Sequence, residues 1–185
     1  MHSRDLHRQA RVVYQNPDMF SEIKRAWAFW VLANQSFMAS LIDGWSYDKK
    51  TCKKSDNIAR KRENFTEDYA IRLQNVQIEC ADALRIINCR DSEQTFFYLD
   101  PPYYNADMGH YDGYTLNDFT QLLEILSKLQ GKFLLSSYRS DVLKEFSKAN
   151  NWQTIEIKGS IGVLNAKSKP KVEVLTANFE LKTDR

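Results

Sequence analysis

The sequence predicts an α/β protein with a largely parallel, doubly wound sheet that is preceded by a helical layer. Strand-like and helix-like segments alternate from residue 76 onwards, which is typical of βαβ units. Apolar residues recur at helical spacing between residues 4 and 44. A chain of 185 residues, of which 43% are hydrophobic, is long enough to bury a sizeable core.

Residues 1–75 are predicted to form the helical layer. Asn16, Pro17 and Asp18 mark a boundary between two helices, because proline is tolerated at a helix start and not in its interior. Gly44 is predicted to end the second helix. The aromatic residues of this layer fall at helical spacing, so we expect them in the core rather than on a stacking surface. They are Trp27, Phe29, Trp30 and Phe37.

Residues 76–185 are predicted to form the α/β core. The predicted strands are residues 76–80, 95–99 and 132–137, with two more near 152–157 and 172–181. The predicted helices are residues 81–87, 116–129 and 141–149, and a short helix at 65–73 precedes the core. Residues 159–170 are rich in Gly, Ser, Lys and Asn, which predicts a surface loop.

The predicted strand at residues 95–99 ends on a polar segment. Its run of aromatic and apolar side chains is expected of a central strand that is buried on both faces. The run stops at Asp100-Pro101-Pro102-Tyr103. In open α/β sheets, ligands bind at the carboxyl ends of strands, so an acidic side chain at this place predicts a reaction site.

The residue types of this segment suit an amino group as ligand. Prolines lack a backbone donor and fix φ, so carbonyl groups around Pro101 and Pro102 are acceptors that the loop's own amides do not easily claim. The Asp100 carboxylate and the Pro101 carbonyl can together accept hydrogen bonds from an amine, while the Tyr103 ring can stack on a planar base. A plain turn after a strand stays open as the alternative, because Asp and Pro are common in turns.

The strand followed by Asp100-Pro101-Pro102-Tyr103 resembles the catalytic motif of Dam-like N6-adenine DNA methyltransferases. Further segments resemble motifs of that family in the same order. They are residues 80–84 (the short acidic motif, with Asp82), 114–126 (the helix after the catalytic loop), 133–138 (the next core strand) and 171–175 (the closing strand). The resemblance covers residues 76–181 and, more loosely, residues 29–45.

The resemblance implies a Rossmann-like fold of the S-adenosylmethionine-dependent methyltransferases. It implies transfer of a methyl group from S-adenosylmethionine to the N6 amino group of adenine in double-stranded DNA, as in restriction–modification systems. The implied catalytic residues are Asp100, Pro101, Pro102 and Tyr103. Asp82 and Asp100 are the implied cofactor-binding residues, with Asp82 contacting the adenine ring of the methyl donor.

The glycines depart from the pattern of that family. Its members carry, before these motifs, a strand and a Phe-x-Gly-x-Gly type loop that holds the methyl donor, whereas all six glycines here lie at or after residue 44. Gly159 and Gly162 come near the motif's spacing but follow the wrong strand. We therefore expect a fold that is incomplete at its N-terminus, with a separate N-terminal methyltransferase segment as the partner that completes the donor site.

The most basic stretch, residues 46–62, lies where a target-recognition insert is expected in this family. Its cationic side chains are suited to neutralising DNA phosphates while a base is extruded. The alternative is an ordinary solvated charged face. The candidate DNA-binding residues are Lys49, Lys50, Lys53, Lys54, Arg60, Lys61 and Arg62.

The loop at residues 105–113 has two glycines and several aromatic residues, which suits a segment that closes over an extruded base. Within it, His110 is not needed as a general base, because the proton of a methylated amine can leave to solvent after the methyl group has moved.

Composition limits the classes of protein to which the chain can belong. A net charge of +2 and a pI near 8.3 do not mark a bulk nucleic-acid binder. Cys52, Cys80 and Cys89 form no CxxC pair, so we predict neither a metal site nor a disulfide framework and expect a reducing cytoplasm. No apolar run approaches the roughly 18 residues that a membrane span needs, so no membrane partner is predicted.

Two other functions stay open. The first is a non-catalytic DNA-binding or regulatory remnant, which the missing glycine loop suggests. The second is a methyltransferase that acts on cytosine N4 or on RNA adenine. Family members that methylate cytosine more often carry Ser-Pro-Pro-Tyr, so the Asp100 of this chain favours adenine.

Overall fold

The computed structural model describes residues 1–104, 113–157 and 172–181. They form a mixed α/β structure, and the chain divides into two compact units, Met1–Ile78 and Glu79–Arg185, each with its own hydrophobic core. In none of the described ranges is a helix both long enough and apolar enough to cross a membrane.

The first unit is helical. Its helices are α1 (Arg4–Gln15), α2 (Glu22–Gln35), α3 (Lys53–Glu63) and α4 (Asp68–Leu73). Short 3₁₀ turns follow α1 at Pro17–Met19 and α2 at Phe37–Ala39. The predicted boundary at Pro17 is confirmed. Gly44 does not end α2, because Ser36 already has an extended backbone and Met38 has a positive φ of 51°.

Helices α1 and α2 pack against each other through small and branched side chains. The buried cluster consists of Ala10, Val13, Ala28, Val31 and Leu32. Trp27 and Trp30 pack against this cluster as predicted, but Phe29 and Phe37 are exposed and are not core residues. Phe29 is wrongly placed by the prediction because α2 buries the stripe 28, 31, 32 and 35, and position 29 lies outside it.

The second unit combines helices with a sheet. Its helices are α5 (Ala83–Arg90), α6 (Leu116–Leu126) and α7 (Asp141–Ala149). Its strands are β1 (Phe96–Leu99), β2 (Lys132–Tyr138), β3 (Gln153–Glu156) and β4 (Glu173–Ala177). Each of these elements lies within or overlaps a predicted segment of the same type. The strands form one sheet in the order β1-β2-β4-β3.

The predicted largely parallel sheet is correct for one strand pair and wrong for the others that the structure describes. β1 and β2 are parallel, with Phe97 opposite Phe133. β4 pairs antiparallel with both β2 and β3, so it is inserted in the reverse direction between two strands that run the same way. The direction of β4 was not predictable from alternation, because the sequence shows no helical pattern between it and β3.

Two predictions about strands need correction. Residues 76–80 form no strand, and Ile78 is 77% exposed. The alternation of apolar residues was misleading here because a strand also needs a hydrogen-bonded neighbour, which such a pattern does not reveal. β1 is not a central strand buried on both faces. It lies at the edge of the described sheet, where Phe96 and Tyr98 are 54% and 62% exposed while Phe97 and Leu99 pack against the core.

The core of the second unit lies between α6 and the sheet. One face of α6 contributes Phe119, Leu122, Leu123 and Leu126. From β2, Phe133 and Leu135 are fully buried against it. Burying this helical stripe fixes α6 next to the end of β1, which is where the polar segment begins.

Gly131, which directly precedes β2, packs closely against the segment that precedes β1. Its N–H donates to Asp91 Oδ1 at 3.0 Å, and its carbonyl accepts from Asn178 Nδ2 at 2.9 Å. A Cβ at this position would lie 2.6 Å from the Thr95 carbonyl oxygen and 2.8 Å from that of Ser92. Only glycine allows this close backbone approach.

Replacing Gly131 with alanine is expected to lower the free energy of unfolding by about 1–3 kcal/mol, because backbone atoms must move to relieve the overlap. Urea denaturation of the wild-type chain and the variant measures the difference. Gly44→Ala is the matched control, since nothing lies within 4 Å of a Cβ added there. Equal destabilisation of the two variants would contradict the role of the close approach at Gly131.

Candidate active site

The site begins where β1 ends. Asp100 is exposed at the carboxyl end of β1, and Pro101 and Pro102 behind it are half-buried. These residues line a cavity of about 830 Å³, which is within the usual size of ligand sites. The described residues around it are Asp82, Ala83, Leu84, Ile87, Tyr98, Leu99, Asp100, Pro101, Pro102, Gly113, Tyr114, Asp118, Gln121 and Leu122.

The cavity therefore brings together four of the five catalytic and cofactor-binding candidates. Asp82, Asp100, Pro101 and Pro102 all line it, although Asp82 lies on a different element. Tyr103 is not among its lining residues. The wall combines carboxylates with apolar side chains, which suits a ligand that has both a planar ring and a positive charge.

Asp82 is oriented by its position at the start of α5. It is the N-cap of that helix, and its Oδ1 accepts a hydrogen bond from the Arg85 backbone N–H at 2.9 Å. Such capping stabilises a helix by about 1 kcal/mol, so it is a sufficient structural reason for an aspartate here. The same hydrogen bond also holds the carboxyl group at the cavity wall.

Tyr103 faces β2 and β4. Its Oη lies 2.8 Å from Ser136 Oγ and 3.3 Å from Asp100 Oδ1, and Ser136 Oγ donates to Glu173 Oε1 at 3.0 Å. The ring meets Tyr138 edge to face, with 4.5 Å between centroids. The strand ends thus hold the last residue of the 100–103 segment through one cluster of hydrogen bonds, which we call the tyrosine cluster: Tyr103, Ser136, Glu173 and Asp100.

Burial raises the pKa of Tyr103 to about 12; the hydrogen bond with Ser136 opposes this shift, and the carboxylates of Asp100 and Glu173 add to it. The phenol therefore keeps its proton throughout the neutral range. It acts in the cluster as a hydrogen-bond donor and never as a base.

Tyr114 and Asp118, at the start of α6, also line the cavity and were not among the predicted site residues. Thr115 and Asp118 make a capping box: the Thr115 N–H donates to Asp118 Oδ2 at 2.7 Å, and the Asp118 N–H donates to Thr115 Oγ1 at 3.3 Å. The Thr115 hydroxyl and then the Thr115 N–H, which both donate to Asp118 Oδ2 at 2.7 Å, lower the pKa of that carboxyl group. The sequence Thr-x-x-Asp before an apolar run was the signal that locates this helix start, but it does not reveal a cavity.

Tyr114 lines the cavity beside this cap, and burial, together with the nearby Asp118 carboxylate, raises its pKa to about 12. An unfolded tyrosine titrates near about 10. The folded state thus favours the neutral phenol, and its contribution to stability is fully present below about pH 10 and is lost as pH rises towards the folded pKa.

As pH rises from about 9 to about 12, the free energy of unfolding is therefore expected to fall less in Tyr114→Phe than in the wild-type chain. Urea denaturation at a series of pH values measures the free energy of unfolding of both. Tyr69→Phe, at a tyrosine that is 55% exposed on α4, controls for the loss of a phenol. The same pH dependence with and without the Tyr114 hydroxyl would show that its titration is not coupled to folding.

The basic candidates lie in the first unit. Lys49 and Lys50 precede α3, and the other five lie on it: Lys53, Lys54, Arg60, Lys61 and Arg62. The prediction did not assign this helix. Lys54, Arg60 and Lys61 line a second cavity of about 330 Å³ together with the amide side chains of Asn34, Asn57 and Asn64. Lys61 Nζ donates to Asn34 Oδ1 at 2.9 Å.

Some predictions fall on residues 105–112 and 158–171, which lie outside the described residues. They are the loop that closes over a base, the position of His110, and the surface loop near Gly159 and Gly162.

Together these features define an α/β protein with a polar cavity at the carboxyl end of a strand, where a carboxylate is followed by two prolines. The model of the D12 class N6 adenine-specific DNA methyltransferase family matches residues 15–161, and the chain belongs to this family. The predicted relation to Dam-like N6-adenine DNA methyltransferases is confirmed. No curated protein matches the chain.

Proposed function

We propose that the chain transfers a methyl group from S-adenosylmethionine to the N6 amino group of adenine in double-stranded DNA, on a Rossmann-like fold. The cavity at the end of β1 carries this proposal, because Asp82, Asp100, Pro101 and Pro102 line it together. The motifs assigned these same residues to catalysis and to donor binding. Family membership supports the class of reaction.

The 100–103 segment orients the amine. The Asp100 carboxylate and the Pro101 carbonyl accept hydrogen bonds from the two N–H groups of the amine. These bonds direct the nitrogen lone pair towards the methyl donor. S-adenosylmethionine, when bound, supplies a methyl group on a positively charged sulfur. Asp100 is exposed, so the proton released after transfer has a direct route to water.

The described residues of the cavity fit this donor. Leu84, Ile87 and Leu122 give an apolar wall for a planar ring. Asp82 and Asp100 place carboxylates in the lining of the same cavity, and such charges favour a cationic sulfur. We assign Asp82 to the adenine ring of the donor, with its orientation fixed by the cap of α5.

We further propose that a separate methyltransferase segment with a glycine-rich loop completes the donor site. Its support is the edge of the sheet: among the described strands, β1 pairs on one side only, and Phe96 and Tyr98 are exposed there. An edge strand presents unpaired backbone N–H and C=O groups to which another strand can pair. A strand at this edge would lie next to the cavity.

We propose that α3 and the residues before it contact DNA phosphates. Its cations converge, since Lys54, Arg60 and Lys61 line one cavity. The competing explanation is structural, because Arg60, Lys61 and Arg62 occupy the last turn of α3, where cations complement the helix dipole. Salt dependence of DNA binding separates the two.

Replacing Lys54, Arg60 and Lys61 together with alanine is expected to weaken DNA binding and to reduce the slope of log affinity against log salt by about 0.9 for each phosphate that is no longer neutralised. Fluorescence anisotropy with a labelled DNA duplex at several salt concentrations measures this slope. The matched control replaces Lys128, Lys144 and Lys148, which are exposed in the second unit. If both triple variants show the wild-type slope, α3 does not contact phosphates.

The three cysteines are free and exposed, which supports our proposal of a reducing, cytoplasmic location. Exposed thiols are oxidised readily where disulfides form.

Calorimetric titration with S-adenosylmethionine tests the proposed function. We expect the donor to bind the chain together with a glycine-loop segment from a D12 class enzyme, and Asp82→Ala to weaken that binding by about tenfold or more. If the donor binds neither the chain alone nor the chain with that segment, the protein is a DNA-binding remnant without methyltransferase activity.

A further inference from the structure

In the tyrosine cluster, Tyr103 Oη lies within hydrogen-bonding reach of one oxygen atom on each of the other three residues, but only Tyr103 and Ser136 carry a hydroxyl proton. Tyr103 Oη is 2.8 Å from Ser136 Oγ, 3.3 Å from Asp100 Oδ1 and 3.5 Å from Glu173 Oε1, while Ser136 Oγ is 3.0 Å from Glu173 Oε1. A hydroxyl donates one hydrogen bond, and an ionised carboxylate donates none. The two protons therefore determine which oxygen pairs are hydrogen-bonded.

One arrangement of these protons satisfies the two shortest distances. Ser136 donates to Glu173, which leaves the Ser136 lone pairs free to accept the Tyr103 hydroxyl at 2.8 Å. If Ser136 is removed, Tyr103 retains two charged acceptors, Asp100 at 3.3 Å and Glu173 at 3.5 Å, and Asp100 is the nearer of the two. If Glu173 is removed, Ser136 no longer donates to it and can donate to Tyr103 Oη instead, so the Tyr103 hydroxyl turns to Asp100. A bond to a charged acceptor is then favoured over one to water. The hydroxyl would occupy a lone pair that the amine needs.

Resting on the proposed function, we propose that Ser136 and Glu173 are positioning residues that draw the Tyr103 hydroxyl away from Asp100 and keep its carboxylate available to the substrate amine. Ser136 is 3% exposed on β2, and Glu173 begins β4, so both are set by the sheet rather than by the loop. Because the Tyr103 phenol keeps its proton, its hydroxyl competes with the substrate amine for the Asp100 carboxylate at every pH in the neutral range.

The competition predicts a rescue. Ser136→Ala and Glu173→Ala are expected to slow methyl transfer at saturating DNA by about 10–100-fold with little change in DNA affinity. Phenylalanine at position 103 keeps the ring but has no hydroxyl to compete. The double variant Tyr103→Phe/Ser136→Ala should therefore transfer as fast as Tyr103→Phe alone, whereas independent effects would multiply.

The test uses the full chain with unmethylated genomic DNA and labelled S-adenosylmethionine, with the glycine-loop segment added where transfer requires it. Ser137→Ala is the matched control: Ser137 is also 3% exposed on β2, but its Oγ has no hydrogen-bond partner among the described residues. Glu173→Gln should retain most of the rate, because the amide oxygen still accepts from Ser136. An equal drop in rate for the 136 and 137 variants, or no rescue by Tyr103→Phe, would overturn the proposal.

A second readout does not need methyl transfer. The ¹³Cγ resonance of Asp100 reports a hydrogen bond donated to its carboxylate. We expect it to shift in Ser136→Ala and to return in Tyr103→Phe/Ser136→Ala to the Tyr103→Phe value. An unchanged Asp100 resonance in Ser136→Ala overturns the positioning role even in an active enzyme. If the wild-type chain transfers no methyl group, either by itself or with the glycine-loop segment, that result contradicts the proposed function but not the positioning role.

Discussion

Asp100→Ala is expected to reduce methyl transfer to adenine by about 10³-fold or more while leaving DNA affinity unchanged. The carboxylate is the charged acceptor of the site, and the Pro101 carbonyl alone does not fix the direction of an amine. DNA affinity should persist because the proposed phosphate contacts lie on α3, in the other unit. Transfer of labelled methyl groups and anisotropy of a DNA duplex measure the two quantities separately.

Asp100 is exposed, so its replacement should not unfold the chain. Glu93→Ala is the matched control, since Glu93 is an exposed carboxylate in the loop that precedes β1. Asp100→Asn should also lose most of the rate, because the neutral amide is a weaker acceptor than a carboxylate. Retention of the wild-type rate by Asp100→Ala would exclude Asp100 from the reaction.

Phe119→Ala is expected to lower the free energy of unfolding by about 3–5 kcal/mol, the largest stability effect we predict. Phe119 is 2% exposed and lies among the largest fully buried side chains of the second unit. Its ring also stacks on Tyr104, with centroids 5.4 Å apart, so the cavity it would leave undermines the chain directly after the 100–103 segment.

Urea denaturation measures this destabilisation, and Phe119→Leu, which keeps most of the volume, should cost less than about 1.5 kcal/mol. Leu116→Ala is the matched control on the same helix, since Leu116 is 51% exposed. We expect it to change stability by no more than about 0.5 kcal/mol. A Phe119→Ala variant as stable as Leu116→Ala would show that α6 does not anchor the core.

Much of the second unit was predictable because several of its elements carry strong local sequence patterns. The α6 stripe of Phe119, Leu122, Leu123 and Leu126 repeats at helical spacing, and the run in β2 is bounded by Gly131. The orientation of β4 and the edge position of β1 depend on which strands become neighbours. Local patterns carry no information on that choice.

The candidate site was predictable where the motif is contiguous and not where it is assembled from distant elements. Asp100, Pro101 and Pro102 are adjacent in sequence, and the short acidic motif located Asp82. Tyr114 and Gln121 joined the cavity wall only through the packing of α6. Tyr103 lies within hydrogen-bonding distance of Ser136 and Glu173, which are 33 and 70 residues away in the sequence, and no local pattern reveals such contacts.

Digestion of methylated DNA to nucleosides tests the central claim most directly. The chain, with the glycine-loop segment where needed, is incubated with unmethylated DNA and S-adenosylmethionine labelled in its methyl group. We predict that the label appears in N6-methyladenine and disappears in Asp100→Ala. Label in methylcytosine, or no label in DNA from any assembly that binds the donor, would contradict the assignment of this site to the adenine amine.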